Sequence, residues 1–122
     1  MNTAQVAEQF IRCYRSENPA SKYELYSEDC ISIERPIGKD FYEVKGLVSI
    51  KEKSKSFYRQ FNEIVSRKVS EPILDANTFT VTISIEYLKD GEKKILEELC
   101  IFSVENGKIS REEFIYEFMG NF

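Results

Sequence analysis

The sequence predicts an α+β domain in which three N-terminal helices pack on a curved antiparallel sheet. Two observations carry that expectation. Apolar residues recur at helical spacing as far as Phe61, and from Asn62 onward they alternate with polar ones at period two. The strand-like half is punctuated by Asp90-Gly91 and Asn106-Gly107, dipeptides that favour tight hairpins. No repeat, linker or low-complexity segment interrupts residues 1–122, so a single domain is expected.

Taken in order, Thr3 is placed to cap a first helix carrying Val6, Phe10, Cys13 and Tyr14 on its apolar face. Asn18-Pro19 ends it, because the residue before proline avoids helical geometry. Ala20 to Tyr26 reads as a short second helix and Ser27-Glu28-Asp29 as a turn. Cys30 to Arg35 alternates like a strand, and a loop with Pro36 and Gly38 follows. Gly46 leads into a third helix that buries Leu47, Ile50, Phe57, Tyr58 and Phe61. Four further runs are Ile64 to Ile73, Phe79 to Tyr87, Ile95 to Val104 and Ile109 to Phe118. The Ile95 run is apolar on both faces. Leu96, Cys100, Phe102 and Val104 share one side with Glu98, while Leu99 and Ile101 lie on the other. The second face also needs cover, and a homodimer through the outer side of the sheet would supply it.

A chain of 122 residues, 42% hydrophobic, can build a core without metal or disulfide help. A net charge of -4 works against phosphate backbones, and acids surround Lys51, Lys53 and Lys55, so no nucleic-acid partner is expected. The charges from Lys51 to Lys55 and from Glu92 to Lys94 read as solvated surface. No apolar stretch resembles a secretion signal or a membrane span, which makes the cytoplasm the expected compartment. Three cysteines (Cys13, Cys30, Cys100) without a CxxC pair, and no histidine, point to buried thiols with no metal and no cofactor. The absence of histidine also removes Ser-His and Cys-His nucleophiles. Any chemistry falls to carboxylates, tyrosines, lysines or arginine.

Several segments together resemble the nuclear transport factor 2-like superfamily, in its SnoaL-like and ketosteroid isomerase-like branch. They are Phe10-Ile11-Arg12-Cys13-Tyr14, Leu25-Tyr26-Ser27-Glu28-Asp29, Glu34-Arg35-Pro36-Ile37-Gly38, Gly46, Thr82-Ile83-Ser84-Ile85-Glu86-Tyr87 and Asn106-Gly107-Lys108-Ile109. The resemblance covers nearly the whole chain. It implies a cone whose curved sheet wraps a helix around a pocket, usually in a dimer. It also implies that Tyr14 falls on the isomerases' oxyanion tyrosine and Arg35 on their catalytic base. The neutral aspartate falls on Cys100 or a neighbour. An arginine cannot take a proton from carbon, so steroid isomerisation by that route is disfavoured.

Period-two counting places Glu112, Phe114 and Tyr116, then Glu98, Cys100 and Phe102, on the inner face. To these it adds Ile83, Ile85, Tyr87, Ile33, Arg35 and, from the first helix, Tyr14. Arg35 is expected either to clamp a ligand anion or to pair with Glu98 or Glu112. Glu98 and Glu112 are candidate acids or bases, and Tyr14 is a candidate donor to a carbonyl, unless each is simply a satisfied interior group. A one-residue bulge would turn Glu34 inward in place of Arg35 and restore a carboxylate base. The expected ligand is a small, partly apolar molecule, acidic or carbonyl-bearing. The alternatives are an isomerase, cyclase or dehydratase working through a pocket carboxylate and Tyr14, or a non-catalytic dimerisation module with a filled pocket.

Overall fold

A computed structural model describes residues 1–117. Helix α1 (Thr3–Arg15) is followed by a short 3-10 helix (Pro19–Leu25), strands β1 (Tyr26–Ile37) and β2 (Tyr42–Lys45), and helix α2 (Leu47–Tyr58). Strands β3 (Glu63–Val69), β4 (Ile73–Leu74), β5 (Thr78–Lys89), β6 (Glu92–Glu105) and β7 (Lys108–Glu117) complete the described chain. The class is α+β with three helical segments, but the helices are not all N-terminal, since β1 and β2 precede α2. Position 118 of the last expected strand lies outside the described residues.

The sheet is mixed. Its order is β2-β1-β7-β6-β5-β3, with β4 beside β5. β5, β6 and β7 form the expected antiparallel meander, whereas β1 runs parallel to β7. A parallel pair needs a long crossover rather than a hairpin, and everything from β2 to β6 supplies it. Asp90-Gly91 and Asn106-Gly107 all have positive φ, as the two hairpin turns require. Register slips in β1, β3 and β7 accompany the curvature of the long strands.

Several local expectations are revised. Asn2, not Thr3, caps α1: its side chain accepts from the Gln5 amide while the Gln5 side chain accepts from the Asn2 amide, both at 2.9 Å. The Thr3 hydroxyl instead reaches the Ala76 carbonyl at 2.9 Å. Ser27-Glu28-Asp29 belongs to β1 rather than a turn. Pro36 also lies within β1, where β2 pairs only as far as Glu34 and no partner on that edge needs its missing N–H. Ile64 to Ile73 is split at Pro72 into β3 and β4.

The core joins α1 to the inner face of the sheet. Phe10 packs on Phe102 with ring centres 4.6 Å apart, and Phe102 on Phe79 at 4.8 Å. This aromatic plug closes one end of the curved sheet. The other end, beneath α2, remains open. Among the described residues no helix is long and apolar enough to cross a membrane.

Candidate functional site

The register sets side chains in rows across the inner face. One row is Ser32, Glu112, Phe102 and Phe79; the next is Glu34, Phe114, Cys100 and Val81. Beyond them come Pro36 and Tyr116 on one side and Glu98 opposite Ile83 on the other. Ile50, Lys53 and Phe57 of α2 form the roof. The space between is a cavity of about 370 Å³, which Tyr14 and Tyr23 also line.

Parity in β1 is opposite to the expectation. Ser32, Glu34 and Pro36 turn inward, while Ile33 and Arg35 face the outer side. The parallel register dictates this, because Ser32 stands beside inward Glu112 and Glu34 beside inward Phe114. Arg35 pairs with Glu113 at 2.5 Å and lies over the Phe41 ring, so it meets neither Glu98 nor Glu112 nor the cavity. Its guanidinium keeps 41% of its side chain exposed, whereas the Glu34 side chain retains 9%. The buried member of the Glu34-Arg35 pair is thus the carboxylate. Ile33 is buried, but among outer-face neighbours.

Of the other expected site residues, Tyr14, Glu34, Glu98, Glu112, Phe114 and Tyr116 line the cavity. Ile85, Tyr87, Cys100 and Phe102 are buried in the core beside it and do not line it. Burial and the nearby Glu112 push the Cys30 thiol up to about 12, which fits an unreactive interior thiol.

Lys53 organises one wall. Its ammonium donates to Glu34 Oε2 at 3.0 Å, bonds to the Ser32 hydroxyl, and lies 3.9 Å from Glu112 Oε2. Ser32 donates to Glu112 at 2.6 Å, and the Tyr26 hydroxyl takes the other Glu112 oxygen. Tyr116 donates to Glu34 Oε1 at 3.1 Å. Glu112 is therefore fully engaged and has a structural place. Glu34 is held by a cation on one oxygen and a phenol on the other, at the edge of the open space. Burial raises its pKa, and Lys53 pulls the other way.

Glu98 and Tyr14 are placed differently. Glu98 has no ion-pair partner among the described residues. Burial, with Glu34 adding, pushes its carboxyl up to about 8, so it carries its proton at neutral pH. Among the described residues the buried hydroxyl of Tyr14 has no hydrogen-bond partner, and burial raises its pKa as well. A buried hydroxyl left unpaired costs about 1–3 kcal/mol, so it awaits an acceptor. Two neutral O–H groups and an anchored carboxylate thus line the same cavity.

Sequence reasoning missed Lys53, Ser32 and Tyr26. The charge pattern around Lys53 points to solvated surface, yet Lys53 follows Ile50 by three residues and precedes Phe57 by four. That spacing places all three on one helical face.

A model of the SnoaL-like domain matches residues 1–116. The chain belongs to the SnoaL-like domain family. Solved structures share the fold of this SnoaL-like domain. A Mesorhizobium loti protein, proposed to be a SnoaL-like polyketide cyclase, is 24% identical with a TM-score of 0.80, covering 93% of this chain and 98% of its own. TerC, co-crystallised with polyporic acid, is 15% identical with a TM-score of 0.75, covering 94% and 91%. A nuclear transport factor 2-like protein from Cytophaga hutchinsonii is 14% identical with a TM-score of 0.70, covering 93% and 98%. No curated protein matches the sequence significantly. Identities this low speak for the fold of the SnoaL-like domain and leave its activity to the site.

Proposed function

We propose that this SnoaL-like domain is a proton-transfer enzyme acting on a small, partly apolar, enolisable carbonyl compound. The observation that carries the reading is the presence, in the lining of one cavity, of an anchored carboxylate (Glu34) and two neutral donors (Tyr14 and Glu98). Glu34 takes a proton from the carbon beside the carbonyl, and the C–H electron pair moves into the carbonyl to give an enolate. Tyr14 and protonated Glu98 donate hydrogen bonds to the enolate oxygen, where the charge develops. The proton then returns from Glu34 to another carbon, completing an isomerisation, or the enolate carbon attacks a second carbonyl, whose π electrons move to its oxygen and take the proton back from Glu34, completing a cyclisation. Burial raises the pKa of Glu34 above that of an exposed glutamate, which strengthens it as a base, while Lys53 opposes the rise and favours the ionised form. The cyclase assignment of the Mesorhizobium loti neighbour and the polyporic acid complex of TerC favour the same chemical class.

Solvent exchange tests this. Small aromatic β-diketones incubated with the protein in D2O should exchange their α-protons at least ~100-fold faster than buffer alone, as a positioned base supplies. Glu34→Gln should abolish the acceleration and Tyr14→Phe should reduce it. Exchange that persists in Glu34→Gln would sink the assignment of the base.

We also propose that two copies meet through the outer sheet face. Ile37, Ile95 and Leu99 are exposed there at 62%, 57% and 42%, with half-buried Ile101 and Ile115 beside Leu99. Exposed apolar side chains gathered on a sheet face favour burial against a like surface.

A further inference from the structure

A groove of about 880 Å³ opens beside the cavity and shares Tyr14, Lys22, Tyr23, Ser54 and Tyr58 with its wall. Five cations line it: Lys22, Lys51, Lys55, Arg59 and Arg67. No acid lines it, although the chain as a whole has a net charge of -4. Lys55 has Glu52 at 3.7 Å. Among the described residues the other four have no carboxylate within ion-pair distance.

Aromatic faces hold three of these cations instead. The Lys22 ammonium lies 5.2 Å from the centre of the Tyr23 ring and 5.7 Å from those of Phe10 and Tyr14. The Arg67 guanidinium lies 5.5 Å from the Tyr14 ring, and Lys51 5.9 Å from Tyr23. Lys22 and Arg67 are half-buried. A ring face returns only about 0.5–2 kcal/mol to a cation, less than desolvation costs it, so the pair favours an anion brought from outside. A lone carboxylate would balance one of the four charges. A phosphate monoester carries up to two negative charges and a pyrophosphate more, each with several acceptor oxygens for lysine, arginine and the Ser54 hydroxyl.

We propose that the groove takes the phosphate or pyrophosphate end of the substrate whose carbonyl end occupies the cavity, which rests on the proton-transfer reading above. The substrate class is then a phosphorylated, enolisable carbonyl compound. Its apolar head lies between Glu34 and Tyr14, and its anion lies over Lys22, Lys51, Arg59 and Arg67. Arg35, the cation first expected to hold an anion, has no part in it.

Isothermal titration with sodium pyrophosphate, and with phenyl phosphate against inorganic phosphate, tests the assignment. Pyrophosphate should bind, and binding should weaken at least tenfold in the exposed pair Lys51→Gln/Arg59→Gln and again in Lys22→Gln/Arg67→Gln. Phenyl phosphate should bind at least threefold tighter than phosphate, because its ring enters the cavity. Absence of pyrophosphate binding at millimolar concentration, equal affinity in both double variants, or benzoate binding as tightly as pyrophosphate would each overturn it. Circular dichroism of each variant separates lost binding from lost folding, and the exposed pair gives a result even if the half-buried pair fails to fold. The two proposals also fail separately. Glu34-dependent exchange without pyrophosphate binding removes the groove alone. Lysine- and arginine-dependent pyrophosphate binding without exchange removes the proton transfer alone.

Discussion

Lys53 reaches down from α2 to place its ammonium 3.0 Å from Glu34 at the far end of β1. The two side chains retain 18% and 9% exposure, so this contact is an interior one that fastens the roof of the cavity to its floor. Deleting one member of such a pair leaves the other charge buried and unbalanced. Lys53→Met should therefore destabilise the fold by about 3 kcal/mol in urea denaturation. Lys53→Met/Glu34→Gln should recover more than half of that loss. Equal stability of wild type and Lys53→Met would show the pair to be idle.

Tyr14 should behave in the opposite way. Its hydroxyl is buried without a partner among the described residues, so Tyr14→Phe removes a penalty rather than a bond. The variant should be as stable as wild type or up to about 1 kcal/mol more stable, while α-proton exchange slows. A clear loss of stability would mean that the hydroxyl already has a partner and is no free donor.

Glu98 predicts a pH dependence. Its folded pKa, about 8, lies above the usual value of 4.5, so the folded state binds the proton more tightly than the unfolded chain. Stability from this group is fully present below about 4.5, falls as pH rises, and levels off above about 8. The slope can reach about 1.4 kcal/mol per pH unit. Glu34, raised by burial, acts in the same direction. Chemical denaturation from about pH 4 to about pH 9 should show the decline, and Glu98→Gln should flatten most of it. A flat wild-type profile would place the Glu98 pKa near that of a solvated carboxyl.

Arg35→Ala tests the outer placement of that residue. Its ion pair with Glu113 is partly exposed and shared with Arg111, which lies 3.1 Å from the same carboxylate. Its loss should cost less than about 1 kcal/mol, and exchange activity and pyrophosphate affinity should both stay as in wild type. A change in either function beyond twofold would return Arg35 to the site.

Leu99→Lys tests the outer face. Leu99 sits mid-strand on β6, and a charge there should shift a homodimer toward monomer in sedimentation velocity without altering the circular dichroism spectrum. Wild type sedimenting as a monomer at ~100 µM, a concentration that populates any dimer with micromolar affinity, would refute the interface.

The sequence by itself determined the α+β class, the helix after Gly46, the two hairpin turns and the inward residues of β5, β6 and β7. Each rests on local physics: helical spacing, turn dipeptides, or alternation on strands joined by tight hairpins. Phe79, Val81, Ile83 and Tyr87 could be assigned a face without a structure, because polar residues alternate with them. The tertiary structure decided the rest. In β1 the side chains of both parities look eligible, with Ile31 and Ile33 apolar on one side and Cys30, Ser32 and Glu34 on the other. Only the parallel pairing with β7, a contact across some eighty positions of chain, settles which set turns inward. The polar set that turns inward finds its partners there, with Glu112 and Lys53 on Ser32 and Lys53 and Tyr116 on Glu34. The same long-range assembly gathered Lys22, Lys51, Arg59 and Arg67 from separate elements around one groove. A charge pattern along a sequence cannot reveal a cluster that exists only once the chain has closed on itself.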